Sequence, residues 1–206
     1  SFTYTVEDAA LSSSTGTMTL TVAAVNDAPV NTLGSASAVN EDTANAITGS
    51  SIADAEDSSM TSVVITADRG TFTLTTSSAT YDVGTQGTAA STVTISGTVT
   101  NINVAIATIT WTSAADDSTN AVITVVTTDS SGGADTDTIS ITVNAVNDTP
   151  ANAGDTAGPS EDVAYSSWTA ATDWGYTDVD SDTMVSITLK SLPSQGTLTE
   201  ASSACG

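Results

Sequence analysis

TMTLTVAAVNDAPVN at 17–31 returns as TISITVNAVNDTPAN at 138–152, an offset of 121 (138 − 17). The match extends upstream without a gap, so that Phe2 falls on Ile123, Tyr4 on Val125 and Asp8 on Asp129. Downstream, NEDTANAI from Asn40 is answered by SEDVAYSS from Ser160, an offset of 120. DAEDSSM (54–60) is answered by DVDSDTM (178–184) at offset 124, which places a short insertion around TDWG (172–175). DRGTFTL (68–74) finds a weaker echo in SQGTLTE (194–200). Self-similarity at one long period is the mark of a repeat architecture. One complete unit is therefore expected over 26–146, with 1–25 the closing hairpin of a preceding unit and 147–206 the opening part of a following one. Such a chain reads as a stretch of a longer array. The rival is a protomer whose two ends complement each other between neighbours, which leaves the positions matching 83–121 unfilled.

Within the unit the residues alternate. FTYTV, TMTLTVAAV, SVVITA, TFTLTT, STVTISG, ATITWTS, AVITVVTT and TISITVNAV alternate apolar residues with Thr or Ser. That spacing marks strands with one buried and one wet face. The 41 threonines suit the wet face, because β-branched side chains fit a pleated surface. Clusters of Gly, Asn, Asp and Ser punctuate the runs, and about seven short strands per unit predict an all-β, Ig-like sandwich. TNINVAIATI (100–109) alone spaces its apolar residues as one turn of helix would. Phe2, Tyr4, Phe72 and Trp111 sit inside alternating runs and are expected in the core.

Charge narrows the function. Against 24 Asp and Glu the chain carries two basic residues, Arg69 and Lys190, for a net charge of −22 over 206 residues. Nucleic-acid binding depends on Lys and Arg neutralising phosphate, so no nucleic-acid partner is expected. Anionic membrane surfaces repel such a chain, and no apolar run of about 18 residues offers a helical span for membrane insertion. With no histidine and one cysteine, Cys205, there is no Ser-His-Asp or Cys-His pair and no zinc or iron–sulfur ligand set. An apolar share of 39% argues against disorder. A folded chain this anionic points to divalent cations as counter-charge.

The acids are grouped. Four features recur in the same order: the linkers Asn26-Asp27 and Asn147-Asp148 before Pro29 and Pro150; Glu41-Asp42 and Glu161-Asp162; Asp54, Glu56, Asp57 and Asp178, Asp180, Asp182; and the hairpin residues Asp8 and Asp129. Calcium takes six to eight oxygen ligands, which Asp, Asn and Glu on loops supply. Each group also has an ordinary reading as a metal-free turn or a solvated loop. Their recurrence in order is what favours calcium.

A closing strand, an NDxP linker, an ED pair about a dozen residues on and then a DxD cluster together resemble the cadherin-like repeats of large secreted bacterial surface proteins and adhesins. The stretch 95–150, ISGTVTNINVAIATITWTSAADDSTNAVITVVTTDSSGGADTDTISITVNAVNDTP, is especially close to that type. The resemblance implies tandem Greek-key, cadherin-like β-sandwich domains arranged end to end, with calcium at the junctions. It implies that the junction at Asn26-Asp27 uses Asp54, Glu56, Asp57 and Asp129. It implies that the junction at Asn147-Asp148 uses Glu41 and Asp116 or Asp117 with Asp178, Asp180 and Asp182. There are two departures: the first DxD is Asp-Ala-Glu with no third Asp in step, which makes the first site the weaker one, and the expected DRE-like motif is only Asp116-Asp117. The implied function is a non-enzymatic structural segment of an extracellular or cell-surface fibre, made rigid by calcium. Its partners are then neighbouring repeats, and strand exchange into a homopolymeric filament is a further route.

Trp168, Trp174 and Tyr176 crowd the opening of the last unit. They either fill a core or stack on sugar rings, which makes a carbohydrate-binding module the alternative function. With 70 Ser plus Thr, glycans on the wet faces are compatible with the sequence. An enzyme is the weakest reading, since each carboxylate pair that could hydrolyse glycosides is better explained as ligands.

Overall fold

A computed structural model describes residues 1–35, 38–75, 78–154, 162–163, 174–191 and 194. The chain is all-β with one short helix among the described residues, and it divides into two compact units, Ser1–Asn144 and Ala145–Gly206.

The first unit opens with a hairpin of β1 (Phe2–Glu7) and β2 (Ser13–Met18) that pair only with each other. Then come β3 (Val30–Thr32), β4 (Val39–Asn40), β5 (Asn45–Ala46) and β6 (Ser51–Ala53). The longest strand, β7 (Ser59–Ala67), is followed by β8 (Thr71–Thr73), β9 (Thr80–Val83) and β10 (Thr92–Thr98). Helix α1 (Val99–Ile106) leads to β11 (Thr110–Thr112), β12 (Ala121–Thr128), β13 (Ala134–Ile141) and β14 (Val143–Asn144). A five-stranded sheet runs in the order β13-β12-β7-β10-β9 and a three-stranded one in the order β5-β11-β8. β3 pairs with β6, and β14 with β4 in parallel.

Alternation decides what is buried. Along β12 every second residue is buried, beginning with Ala121, Ile123 and Val125. Ile123 and Val125 lie beside Val63 and Ile65 of β7 and Val93 and Ile95 of β10, in one buried cluster with Phe72 and Trp111 from the three-stranded sheet. Each such aliphatic or aromatic side chain contributes roughly 1.5–3 kcal/mol by leaving water. Trp111 satisfies its indole N–H by donating to Arg69 O at 3.0 Å. Helix α1 begins at Thr98, whose hydroxyl accepts from Asn101 N. It buries Ile102, Ala105 and Ile106. Asn103 accepts from Ile52 N and donates to Ile52 O, so its side chain closes the edge of β6 as a neighbouring strand would.

Five expectations need correction. The run 17–25 forms a strand only as far as Met18. Its counterparts 140–144 are held by Val122, Ala121 and β4, and 19–25 have no such ladder. Phe2 and Tyr4 are not core: they are 52% and 45% exposed, because β1 lacks the second neighbour that β7 gives to β12. The anticipated strands at 71–76 and 107–113 shrink to β8 and β11, and α1 spans eight residues rather than one turn. Strands β3 to β14 are more numerous than the seven expected, because β5, β6 and β9 are too short to show alternation.

The second unit pairs β15 (Ala151–Asn152) with β16 (Tyr176–Thr177). Trp168 and Glu161 lie outside the described residues.

The repeat is visible bond by bond. In the hairpin of β1 and β2 the register is Phe2↔Met18 through Glu7↔Ser13. In β12 and β13 the corresponding register is Ile123↔Ile139 through Thr128↔Ala134, every partner displaced by 121. Likewise Val30↔Ala53 and Asn31↔Ile52 in β3–β6 become Ala151↔Thr177 and Asn152↔Tyr176 in β15–β16. There one strand is displaced by 121 and its partner by 124, as the insertion around 172–175 requires.

Candidate metal centre

Each hairpin turn is closed by its aspartate. Asp8 Oδ1 accepts from Ala10 N and Ser12 N at 2.8 and 2.9 Å. Asp129 Oδ1 accepts from Ser131 N and Gly133 N, both at 2.8 Å. The third turn residue has positive φ in both copies, Leu11 at 65° and Gly132 at 89°. Asp129 is buried, and its second oxygen, Oδ2, accepts from Asn26 Nδ2 at 2.7 Å. The Asn26 amide, followed by the backbone N–H groups of Ser131, Gly133 and Gly132, holds the Asp129 carboxyl below its ordinary value.

Around this aspartate the first unit gathers one acidic pole. Asp27 N donates to Glu56 Oε2 at 3.2 Å. Asp54 Oδ1 accepts from Glu56 N and Asp57 N at 2.9 and 2.7 Å, an Asx-type turn that folds the loop over its own carboxylate. Asp57 Oδ2 accepts from the backbone and hydroxyl of Ser130, which ties the loop to the hairpin turn. All six residues expected at this pole, Asn26, Asp27, Asp54, Glu56, Asp57 and Asp129, thus belong to one connected network. Ser130 joins it, and its sequence gave no sign of this because Ser is common throughout the chain.

One atom in that network stands apart. Asp54 Oδ2 is buried and has no hydrogen-bond partner among the described residues. A carboxylate oxygen withdrawn from water with nothing donated to it is costly. A cation held there would remove that cost, and a carboxylate oxygen suits a hard ion such as calcium, although Asp54 is not among the described acids whose carboxylate oxygens gather in threes within 4.8 Å. Asp129 offers less, since three donors already occupy most of its roughly four acceptor positions.

The other end of the unit carries a second pole. β7, nine residues long, leads from the Asp54–Asp57 loop to Asp68 and Arg69, a span of roughly 30 Å. Here Glu41 is 4% exposed, and its N–H donates to Asn144 O. Asp42 N donates to Ser113 Oγ, and Asp116 N donates to Asp42 Oδ1 at 3.1 Å. Carboxylate oxygens of Asp42 and Asp116 approach within 4.8 Å. Asp42 and its counterpart Asp162 both have positive φ, 57° and 62°, a conformation Asp tolerates better than most residues. Asp117 turns elsewhere, pairing with Arg69 at 3.4 Å. Its carboxyl is lowered by Thr119 first and by Arg69 after.

In the second unit the pattern of the first pole recurs. Asn147 Nδ2 donates to Asp148 O at 2.9 Å, as Asn26 Nδ2 does to Asp27 O at 3.0 Å. Asp148 N donates to Asp180 Oδ2 at 2.7 Å, the counterpart of the Asp27–Glu56 bond. Carboxylate oxygens of Asp148 and Asp180 lie within 4.8 Å of one another. Asp178 Oδ1 accepts from Asp182 N.

Trp174 and Tyr176 are half-buried and line a cavity of about 510 Å³, together with Asn152, Asp182 and Met184. Tyr176 donates to Asp182 O at 2.8 Å. Its hydroxyl pKa is raised by burial first and by Asp178 and Asp182 after. In comparisons with protein-family models, curated proteins and solved structures, nothing matches the chain.

Proposed function

We propose that this chain is a non-enzymatic structural segment of a secreted, cell-surface adhesin or extracellular fibre, built from cadherin-like β-sandwich repeats and stiffened by calcium at their junctions. The observation that carries the reading is the recurrence of one acidic geometry. Asp27 with Glu56 and Asp148 with Asp180 make the same backbone-to-carboxylate bond in two copies, and the first copy holds the buried Asp54 Oδ2, which has no hydrogen-bond partner among the described residues.

Mechanically, acidic junctions repel and flex when empty. Calcium replaces repulsion with coordination shared across the junction, and each repeat then adds roughly 40–50 Å of rod. Extracellular modules of this kind bind calcium with dissociation constants on the order of 10⁻⁴–10⁻³ M. Such sites fill outside the cell and stay empty in cytoplasm.

Isothermal titration of the EDTA-stripped chain with calcium, followed by small-angle scattering with and without the ion, tests the proposal. Saturable uptake with a lengthened, stiffer particle is expected. No heat and an unchanged scattering profile refute the calcium reading.

A carbohydrate-binding role is the alternative. The observation in its favour is the cavity faced by Trp174 and Tyr176; Trp168 is outside the described residues. Quenching of tryptophan emission on adding oligosaccharides, abolished by Trp174→Ala, would support it.

A further inference from the structure

The strand segment that enters the first unit, β3 to β4, and the one that leaves it, β13 to β14, lie side by side and point the same way. β4 pairs with β14 in parallel, Val39 against Val143 and Asn40 against Asn144. Val39 N donates to Thr142 O at 2.9 Å and Glu41 N to Asn144 O at 3.1 Å. Asn144 Nδ2 adds a longer bond to Asn40 Oδ1 at 3.5 Å. Further up both strands, Asn31 N donates to Asp135 Oδ2 at 2.7 Å. The separation is 104 at all three places (135 − 31, 143 − 39 and 144 − 40), so entry and exit advance in one parallel register. The nine steps from Asn31 to Asn40 cover up to roughly 30 Å.

Both segments are anchored on their far sides. β3 pairs with β6, and β13 pairs along its whole length with β12. Val143 N donates to Asn120 Oδ1 at 3.0 Å, which fixes β14 to the loop before β12. Val39 and Val143 are both buried in the core cluster, so sliding one strand past the other exposes apolar surface as well as breaking bonds.

Direction decides how a pull acts on such a contact. Tension along an array enters the unit ahead of β3 and leaves it after β14. It drags β4 toward its own N-terminal end and β14 toward its own C-terminal end. In parallel neighbours those ends lie opposite, so the strands are sheared and their bonds stretch together. In antiparallel neighbours they lie at the same end, and the bonds open one at a time.

We propose that the parallel contact between the entry and exit strands is the tension-bearing contact of the unit, a further function that rests on the reading of the chain as part of a fibre. Its bonds use backbone groups, Asn40, Asn144 and Asp135, and none passes through a carboxylate of the two acidic poles. It therefore resists force without calcium.

Single-molecule force spectroscopy of the full 206-residue chain, held at its two ends in EDTA, tests this. The first unit should open in one step, releasing the 115 residues from Val30 to Asn144 (144 − 30 + 1) as a gain of about 350 Å. Asp135→Ala and Glu41→Pro each remove one bond of the contact, and each should unfold about tenfold faster at a fixed force. Val93→Ala, in the core at β10, should cost at least as much stability in urea yet change the forced rate less than about twofold. The reason is that β7 and β10 stay paired while the outer strands slide. An exit strand that peels away first, in a step shorter than about 50 Å, overturns the proposal. So does a Val93→Ala chain accelerated as much as Asp135→Ala. With calcium absent throughout, these rates are read independently of the calcium reading, whose own test is the titration.

Discussion

Replacing Asp54 by asparagine isolates a single oxygen. Asp54 Oδ1 holds Glu56 N and Asp57 N, a task an amide oxygen also performs, whereas Oδ2 has no donor among the described residues. In EDTA, Asp54→Asn should therefore sit within about 1 kcal/mol of the parent, the difference between charged and neutral acceptors. Calcium separates the two. With a dissociation constant on the order of 10⁻⁴–10⁻³ M, 10 mM free calcium stabilises the parent by about 1.4–2.7 kcal/mol per site. For a unit of this size that raises the melting temperature by roughly 4–12 °C. The asparagine variant loses the anionic ligand and should recover less than half of that rise. Calorimetric scans belong in a constant background of about 0.15 M KCl, where screening of the −22 charge is already set by a Debye length near 8 Å. Equal calcium-dependent rises in parent and variant refute the assignment of Asp54 Oδ2. A parental rise reproduced by potassium at matched ionic strength refutes coordination altogether.

Three further outcomes are expected. Leu11 and Gly132 hold the same left-handed turn position, so Gly132→Leu should cost the first unit about 0.5–1 kcal/mol by chemical denaturation, the strain of positive φ less the entropy lost by the unfolded chain; no loss contradicts the matching of the two turns. Thr127→Val strips the hydroxyl from the buried Asn31 Oδ1 and should cost about 1–3 kcal/mol in the same assay, with a double-mutant cycle against Asn31→Ala recovering the coupling. Because the folded Asp129 carboxyl is lowered from 3.8, chiefly by Asn26, its contribution to stability is fully present above that ordinary value and is lost as pH falls through the lower folded one. Asn26→Ala should move the Asp129 titration upward toward 3.8 in carboxyl-detected NMR, and an unmoved curve counts against the Asn26 bond.

Much of the local structure was legible in the residues. The hairpin turn is written by one aspartate whose oxygen reaches N–H groups two and four residues on, a bond that needs no distant partner. The same is true of the Asp54 turn and of α1, whose capping Thr98 and buried Ile102 and Ile106 lie within one short segment. The short strands were not legible, because β5 and β6 take their place from Trp111 and from Asn31 across the fold rather than from their own composition.

By itself, then, the sequence determined the repeat. The offset of 121 carries the β1–β2 register onto that of β12–β13 partner by partner, since alternation and turn chemistry act over the few residues of a hairpin. Only the tertiary structure decided which copies of those positions are covered and which carboxylate oxygen is left without a donor. Tyr4 and Val125 occupy matching places in matching hairpins, yet only Val125 is buried, because β7 arrives beside it from some 60 residues away (125 − 65). Asp54 and Asp129 are both acids of one pole, yet Asn26 reaches Asp129 from 103 residues away and none of the described residues donates to Asp54 Oδ2. Burial and saturation belong to the partner a residue meets, and that partner is fixed by the fold rather than by the residue's own stretch of chain.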